Sequence, residues 1–174
     1  PLNLVEESIR VPLIFNHPGQ LIEGQRRSEF VDHTDLFQTI LDYAGIKLDD
    51  QFISERRFPG RSYANLLSHD SPTPHWRHYQ ICEYGDVRMI RNHRHKLIRR
   101  YPDGPNEFFD LINDPRETIN LFESIEYQSI IERMMNDLDV FFNKYADEKN
   151  NGLNVKRLPI HNTTEAWRDP RNLH

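Results

Sequence analysis

The 174-residue chain carries 22 basic and 27 acidic residues, a net charge of −5, and that balance gives no case for general nucleic-acid or membrane-surface binding. Its 37 % apolar content is lean beside the roughly 45–50 % (glycine included) of an ordinary globular domain, as expected of a piece that completes its core against a larger partner. One cysteine excludes an internal disulfide framework, and no apolar run reaches the length of a membrane span.

Residues 9–15, IRVPLIF, form a near-continuous apolar run closed by Asn16, His17, Pro18 and Gly19. A short apolar run ending in turn residues predicts a strand buried on both faces. Pro12 donates no ladder hydrogen bond, which narrows the strand to 13–15. A helix is predicted over 35–44, with Leu36, Phe37, Ile40, Leu41 and Ala44 on one face. Thr34 or Asp35 would cap it, Gln38 follows Asp35 at capping-box spacing, and Gly45 stops it. Residues 47–74 read as mostly irregular, with 65–67 apolar enough to dock, and the run SHDSPTP at 68–74 marks a boundary.

Beyond that boundary the pattern changes to strands in series, at 79–83, 87–91, 96–100 and 107–111. Polar turns at 92–95 and 102–105 separate the last three, so a four-stranded antiparallel sheet is predicted. A long helix over 125–145 carries Ile130, Ile131, Met134, Leu138, Phe141, Phe142 and Tyr145 as its apolar stripe. Packing that stripe on one face of the sheet buries both. The remaining residues are polar and without periodicity.

Several residue groups suggest chemistry and also have plainer explanations. Arg88, Arg91, His93, Arg94, His95, Lys96, Arg99 and Arg100 could meet a sulfated or phosphorylated polymer through bidentate guanidinium contacts. Solvated strand faces and salt bridges to a neighbouring layer explain the same run. His75 with His78, and His93 with His95, lack the further converging ligands that zinc requires, so no metal site is expected. Cys82 sits mid-strand with no activating base and reads as an inert thiol. A helix cap accounts for Asp32 and Asp35, and turn capping for Asp110, Asp114 and Glu117. Trp76 beside Arg77 could hold a ring but also suits a core anchor. Asn162-Thr163-Thr164 fits a glycosylation acceptor, a pattern too short to carry weight.

Four segments, in this order, carry a resemblance: EESIRVPLIFNHPG (6–19), VDHTDLFQTILDYAGI (31–46), FPGRSYANLL (58–67) and the meander. In the meander RMIR (88–91) and HKLI (95–98) lead to EFFDLINDPRETINL (107–121), which holds Asp110, Asp114, Pro115, Glu117 and Asn120. Together they resemble the C-terminal region of the formylglycine-dependent sulfatases of the alkaline-phosphatase-like superfamily. Gln38 stands where that family usually has proline. The implied fold class is α/β. Residues 1–74 would be the last elements of a catalytic α/β sheet domain and 75–147 an antiparallel sheet-plus-helix subdomain, followed by a polar wrapping tail at 148–174.

The resemblance implies hydrolysis of a sulfate ester of a sulfated carbohydrate or an aryl or alkyl sulfate, with formylglycine as nucleophile and calcium as cofactor. Cys82, in QICEYGD, lacks the proline and arginine of the family's C/S-x-P-x-R motif. The nucleophile, the calcium ligands and a catalytic lysine preceding Glu6 are therefore expected upstream, in a missing N-terminal catalytic portion, and this chain alone is expected to be inactive. The turn around Glu6 and Glu7 would lie close to that active site. For substrate contacts the resemblance points to the loop carrying Arg100, Tyr101 and Asn106, and His75 is a further pocket candidate. No nucleic-acid or membrane partner is expected. Two other functions compete: a phosphonate monoester or phosphodiester hydrolase of the same superfamily, and a free-standing anion- or RNA-binding module with an arginine-rich sheet face.

Overall fold

Consecutive strands pair with their neighbours in a meander of order β1-β2-β3-β4, in a computed structural model that describes residues 4–68 and 75–157. The strands are β1 (Gln80–Tyr84), β2 (Val87–Arg91), β3 (His95–Arg100) and β4 (Glu107–Asp110). All pairs are antiparallel, with Val87 opposite Arg100, Arg91 opposite Lys96 and His95 opposite Asp110. The sequence places all four strands to within a residue at each end.

The long helix begins as a 3-10 turn (Ile125–Tyr127) and continues as an α-helix, Gln128–Tyr145. Its buried residues are Ile131, Met134, Leu138 and Phe142, four members of the predicted stripe. They close over Ile90, Leu97 and Phe108, which project from one face of the sheet. Each such side chain contributes about 1.5–3 kcal/mol by leaving water, so this layer is the main core.

The opposite face is also buried, which alternation into solvent did not anticipate. Val87, Met89, Ile98 and Phe109 on that face pack with Leu4, and with Ile9 at the end of a four-residue helix. That helix is α1 (Glu6–Ile9). A sheet covered on both sides leaves no polar face, so the cations that fall there must find acids.

The α/β elements depart from expectation in three ways. No strand forms at 13–15; Val11, Leu13 and Ile14 are 60 %, 50 % and 86 % exposed. A strand is completed by hydrogen-bonded neighbours on its flanks, and no described residue supplies them. The helix α2 runs His33–Tyr43 rather than 35–44. Asp32 is its N-cap, accepting from the Thr34 amide, and Asp35 is the reciprocal capping-box residue, accepting from the Asp32 amide. Its buried positions are Asp35 and Thr39, both bonded by the facing loop, while Phe37 and Ile40 are exposed. Arg61 donates its amide to Asp35 at 2.7 Å, and Tyr63 donates its amide to the Thr39 hydroxyl at 3.0 Å.

Third, the stretch read as irregular holds two short helices, α3 (Asp50–Arg56) and α4 (Ala64–Ser68). Each is too short for its periodicity to register. Leu66 of α4 is buried, as the docking reading of 65–67 expects. Counting on from these, the long helix Gln128–Tyr145 is α5. A further 3-10 turn, Gly152–Arg157, follows it.

Candidate functional site

Three of the four sequence-selected contact residues lie together. The Arg100 amide donates to Asn106 Oδ1 at 3.1 Å, and the Asn106 carbonyl accepts from Asn120 Nδ2 at 3.0 Å. Tyr101 packs beneath two guanidinium groups, Arg99 at 4.7 Å and Arg88 at 5.2 Å from its ring centre. The Arg100 guanidinium is matched by Glu107. The 101–106 loop is thus a braced rim with a neutralised cation. His75 lies at the other end of the sheet, beside the start of β1, where its carbonyl accepts from Arg61 at 3.3 Å. Strands rise roughly 3.3 Å per residue, so the length of β3 puts about 17 Å between the two ends. His75 does not share a site with the other three.

The arginine-rich run is matched acid by acid. Arg88 bonds Glu83, Arg94 bonds Asp110, and Arg99 bonds Asp139 on α5. Arg88 also lies 3.7 Å over the Phe142 ring and donates to Asn151. Gly152 donates its amide to Glu83 beside it, so the segment after α5 crosses the β1–β2 hairpin. These pairings support the salt-bridge reading of the basic run over a polyanion site.

Two ion clusters join the sheet to the elements that precede it. In the first, Arg77 bonds Asp32 at 2.7 Å and also Asp35, while Gln80 donates to Asp32 at 2.7 Å. Asp35 is fully buried, and burial pushes its carboxyl above the ordinary value despite the Arg61 and Asp32 amides and Arg77. For Asp32 burial works the same way, but hydrogen bonds from Thr34 and Gln80 and the Arg77 charge outweigh it and bring the carboxyl down. Trp76 donates its indole N–H to the Phe30 carbonyl at 2.8 Å, an anchoring role. The two aspartates are therefore caps that also hold a cation from the other half of the chain.

The second cluster is of the salt-bridge kind expected for the basic run, but its acids were not identified from the sequence. Lys96, with no exposed side-chain surface, lies 2.9 Å from Glu117 and 3.4 Å from Glu6, and Arg91 also bonds Glu6. Turn capping does describe Asp114, which accepts from the Thr118 and Ile119 amides, and Asp110, which accepts from those of Ile112 and Asn113. It does not describe Glu117, whose role is to pair a buried ammonium. The available signal was Arg91 facing Lys96 across a tight hairpin, two like charges that require an acid.

Among the described residues, no three His, Cys, Asp or Glu side chains converge as a metal-binding set. Burial pushes the Cys82 thiol up, with Asp32 and Glu83 adding to the effect, so it is poorly suited to act as a nucleophile. Asn162-Thr163-Thr164 lies outside the described residues.

Comparison with known proteins places these features. The chain is 29 % identical over 155 residues to an N-acetylglucosamine-6-O-sulfatase of Bacteroides thetaiotaomicron, covering 83 % of this chain and 27 % of that protein. It is 30 % identical over 134 residues to an arylsulfatase of Clostridium perfringens, covering 73 % and 26 %. It therefore spans about a quarter of the length of these curated relatives. Among solved structures, one determined in complex with its substrate D-glucosamine-2-N,6-O-disulfate superposes with a TM-score of 0.54 at 29 % identity, over 66 % of this chain and 24 % of that one. A phosphonate monoester hydrolase from Silicibacter pomeroyi gives 0.55 at 21 % identity, over 66 % and 25 %, a likeness of fold alone. The family model described as N-sulphoglucosamine sulphohydrolase, C-terminal, matches residues 3–144, and the chain belongs to that family.

Proposed function

We propose that this chain is the C-terminal part of a sulfatase that hydrolyses the sulfate ester of a sulfated carbohydrate. The observation that supports it best is the family match running unbroken through α2, the meander and α5. In this reading residues 1–74 are the last elements of the catalytic α/β domain and 75–147 form the antiparallel subdomain; of the tail expected at 148–174, residues 158–174 lie outside the described residues. The exposed Val11, Leu13 and Ile14, with Phe37 and Ile40 on α2, are the surface on which the N-terminal catalytic portion packs.

Members of the family use a metal ion and formylglycine. The described residues here fit neither, for want of converging ligands and of a C/S-x-P-x-R sequence. Calcium and the nucleophile are assigned to the catalytic portion, and no chemical step is assigned to this chain. Its contribution is the rim carrying Arg100, Tyr101 and Asn106, a loop that the Arg100–Asn106 and Asn120–Asn106 bonds brace at the edge of the proposed substrate pocket. The disulfated glucosamine held by a structural relative supports a sulfated amino sugar as the substrate class. The binding-module alternative is disfavoured because the basic run is neutralised by carboxylates.

The test is sulfate release by the full-length protein, produced with a formylglycine-generating enzyme. The substrates are N- and 6-O-sulfated glucosamine, an aryl sulfate and a phosphonate monoester. Sulfated glucosamine is expected to turn over fastest. Preferential hydrolysis of the phosphonate would overturn the proposal in favour of the phosphoester alternative.

A further inference from the structure

Lys96 sits on the second face of the sheet, directly opposite Arg91 across the β2–β3 ladder. Two like charges opposed on a buried face repel, and a lysine is fully buried only when paired. Glu6 answers both cations at once, reaching them from α1, 85 and 90 residues away in sequence. Glu117 answers Lys96 from the turn after β4. Its φ of 56° is a left-handed state that a non-glycine residue keeps only where its surroundings enforce it, and the Lys96 pair does so. One ammonium thus ties together α1, β3 and the connection from β4 to α5. The contacts of Leu4 and Ile9 with Met89, Ile98 and Phe109 hold the same segment, but apolar contact is non-directional. The two-cation grip on the Glu6 carboxylate gives the segment a directional hold, to which the Glu6 amide adds a bond to the Glu117 carboxylate.

We propose that Lys96 is a positioning residue. Its ammonium sets the placement of residues 4–9 on the antiparallel sheet, and through them the alignment of the catalytic portion with this subdomain. The catalytic consequence rests on the sulfatase reading above.

The experiment uses the full-length enzyme and the variants Lys96→Met, Lys96→Arg and Glu6→Gln. Hydrogen exchange is followed at Ser8, Ile9 and Arg10, whose amides donate to the Val5 and Glu6 carbonyls. Lys96→Met is expected to speed exchange there by about tenfold or more, with the β2–β3 ladder still protected. It should also lower kcat for sulfate release by about tenfold while KM stays within about twofold, the signature of misplacement rather than lost binding. Lys96→Arg should recover most of both, because a guanidinium can bridge two carboxylates. If Lys96→Met does not fold, Glu6→Gln decides, since it leaves the Lys96–Glu117 pair intact and should loosen only residues 4–9. Unchanged exchange at those amides in the folded variant overturns the proposal, as does faster exchange with kcat preserved. A parent enzyme inactive on sulfate esters would instead sink the sulfatase reading, and the exchange data would still judge the positioning role.

Discussion

Removing the Arg77 guanidinium, as Arg77→Met, tests the joint between α2 and β1. Arg77 is the only cation bonded to Asp32 and Asp35 among the described residues. Breaking a buried pair by deleting one partner typically costs about 3–5 kcal/mol. Arg77 and Asp32 keep 16 % and 24 % of their side-chain surface, and Asp35 retains the Arg61 and Asp32 amides. Those factors bring the expected cost down to about 2–3 kcal/mol. In native-state hydrogen exchange on the full-length protein, that is roughly 30- to 150-fold faster opening at the Arg61 and Tyr63 amides. Asp35 is already held above its ordinary value by burial, and without Arg77 it takes a proton more readily still. The penalty should therefore shrink as pH falls through the carboxylate range. The double variant Arg77→Met/Asp35→Asn should cost less than the sum of the two single changes. An Arg77→Met effect below about 0.5 kcal/mol, or one independent of pH, would refute the assignment of this cluster as the joint.

Three further outcomes are expected. A Cβ added at Gly60 would stand 1.9 Å from the Thr34 carbonyl oxygen and 2.9 Å from the Asp35 amide nitrogen, so Gly60→Ala should destabilise by about 1–3 kcal/mol, measured as a lowered thermal midpoint. Asn120 accepts the amides of Phe108 and Phe122 and donates to the Asn106 carbonyl. Asn120→Ala should cost about 1–3 kcal/mol by stranding the Phe108 amide, and it should raise exchange there while α5 stays protected. His95 stacks on Phe108 at 5.4 Å and meets Tyr127 at 6.0 Å, and burial pulls its pKa below the ordinary 6.5, against the pull of Asp110. The unfolded chain therefore binds the proton first as pH drops. Stability is complete above pH 6.5 and is lost as pH falls toward the folded value. A thermal midpoint series from pH 7 to 5 should show this decline, and His95→Gln should flatten it.

The antiparallel unit was largely legible because its information is local. Alternating apolar residues, Gly and Pro turns and a helical stripe each occupy a few adjacent positions. The second sheet face was not legible, because Leu4 and Glu6 complete it from far away in sequence. The Arg91–Lys96 pairing calls for an acid, but the acid that answers both, and the covering of the face on which the ammonium is fully buried, come from Glu6 and Leu4 far away in sequence. A cap was expected to explain Asp32 and Asp35, but the start of α2 was placed late, because Thr34 and Asp35 also suit the N-cap and only the reciprocal Asp32–Asp35 bonds decide among them. Arg100, Tyr101 and Asn106 could be grouped because they flank one turn. His75 could not be separated from them until the strand register set the two ends of the sheet apart.

The meander also has a consequence for the order in which the protein forms. Its strands pair only with sequence neighbours, so each hairpin can close over a short loop, the fast regime for chain collapse. Leu4 and Glu6 leave the ribosome before β2 and β3 yet have no seat until those strands exist, some 85 residues later. The segment must therefore wait as an exposed, acidic, partly apolar stretch during synthesis. Its docking follows the closure of the β2–β3 hairpin, so truncation within β3 should trap a nascent chain in which residues 4–9 have nowhere to settle.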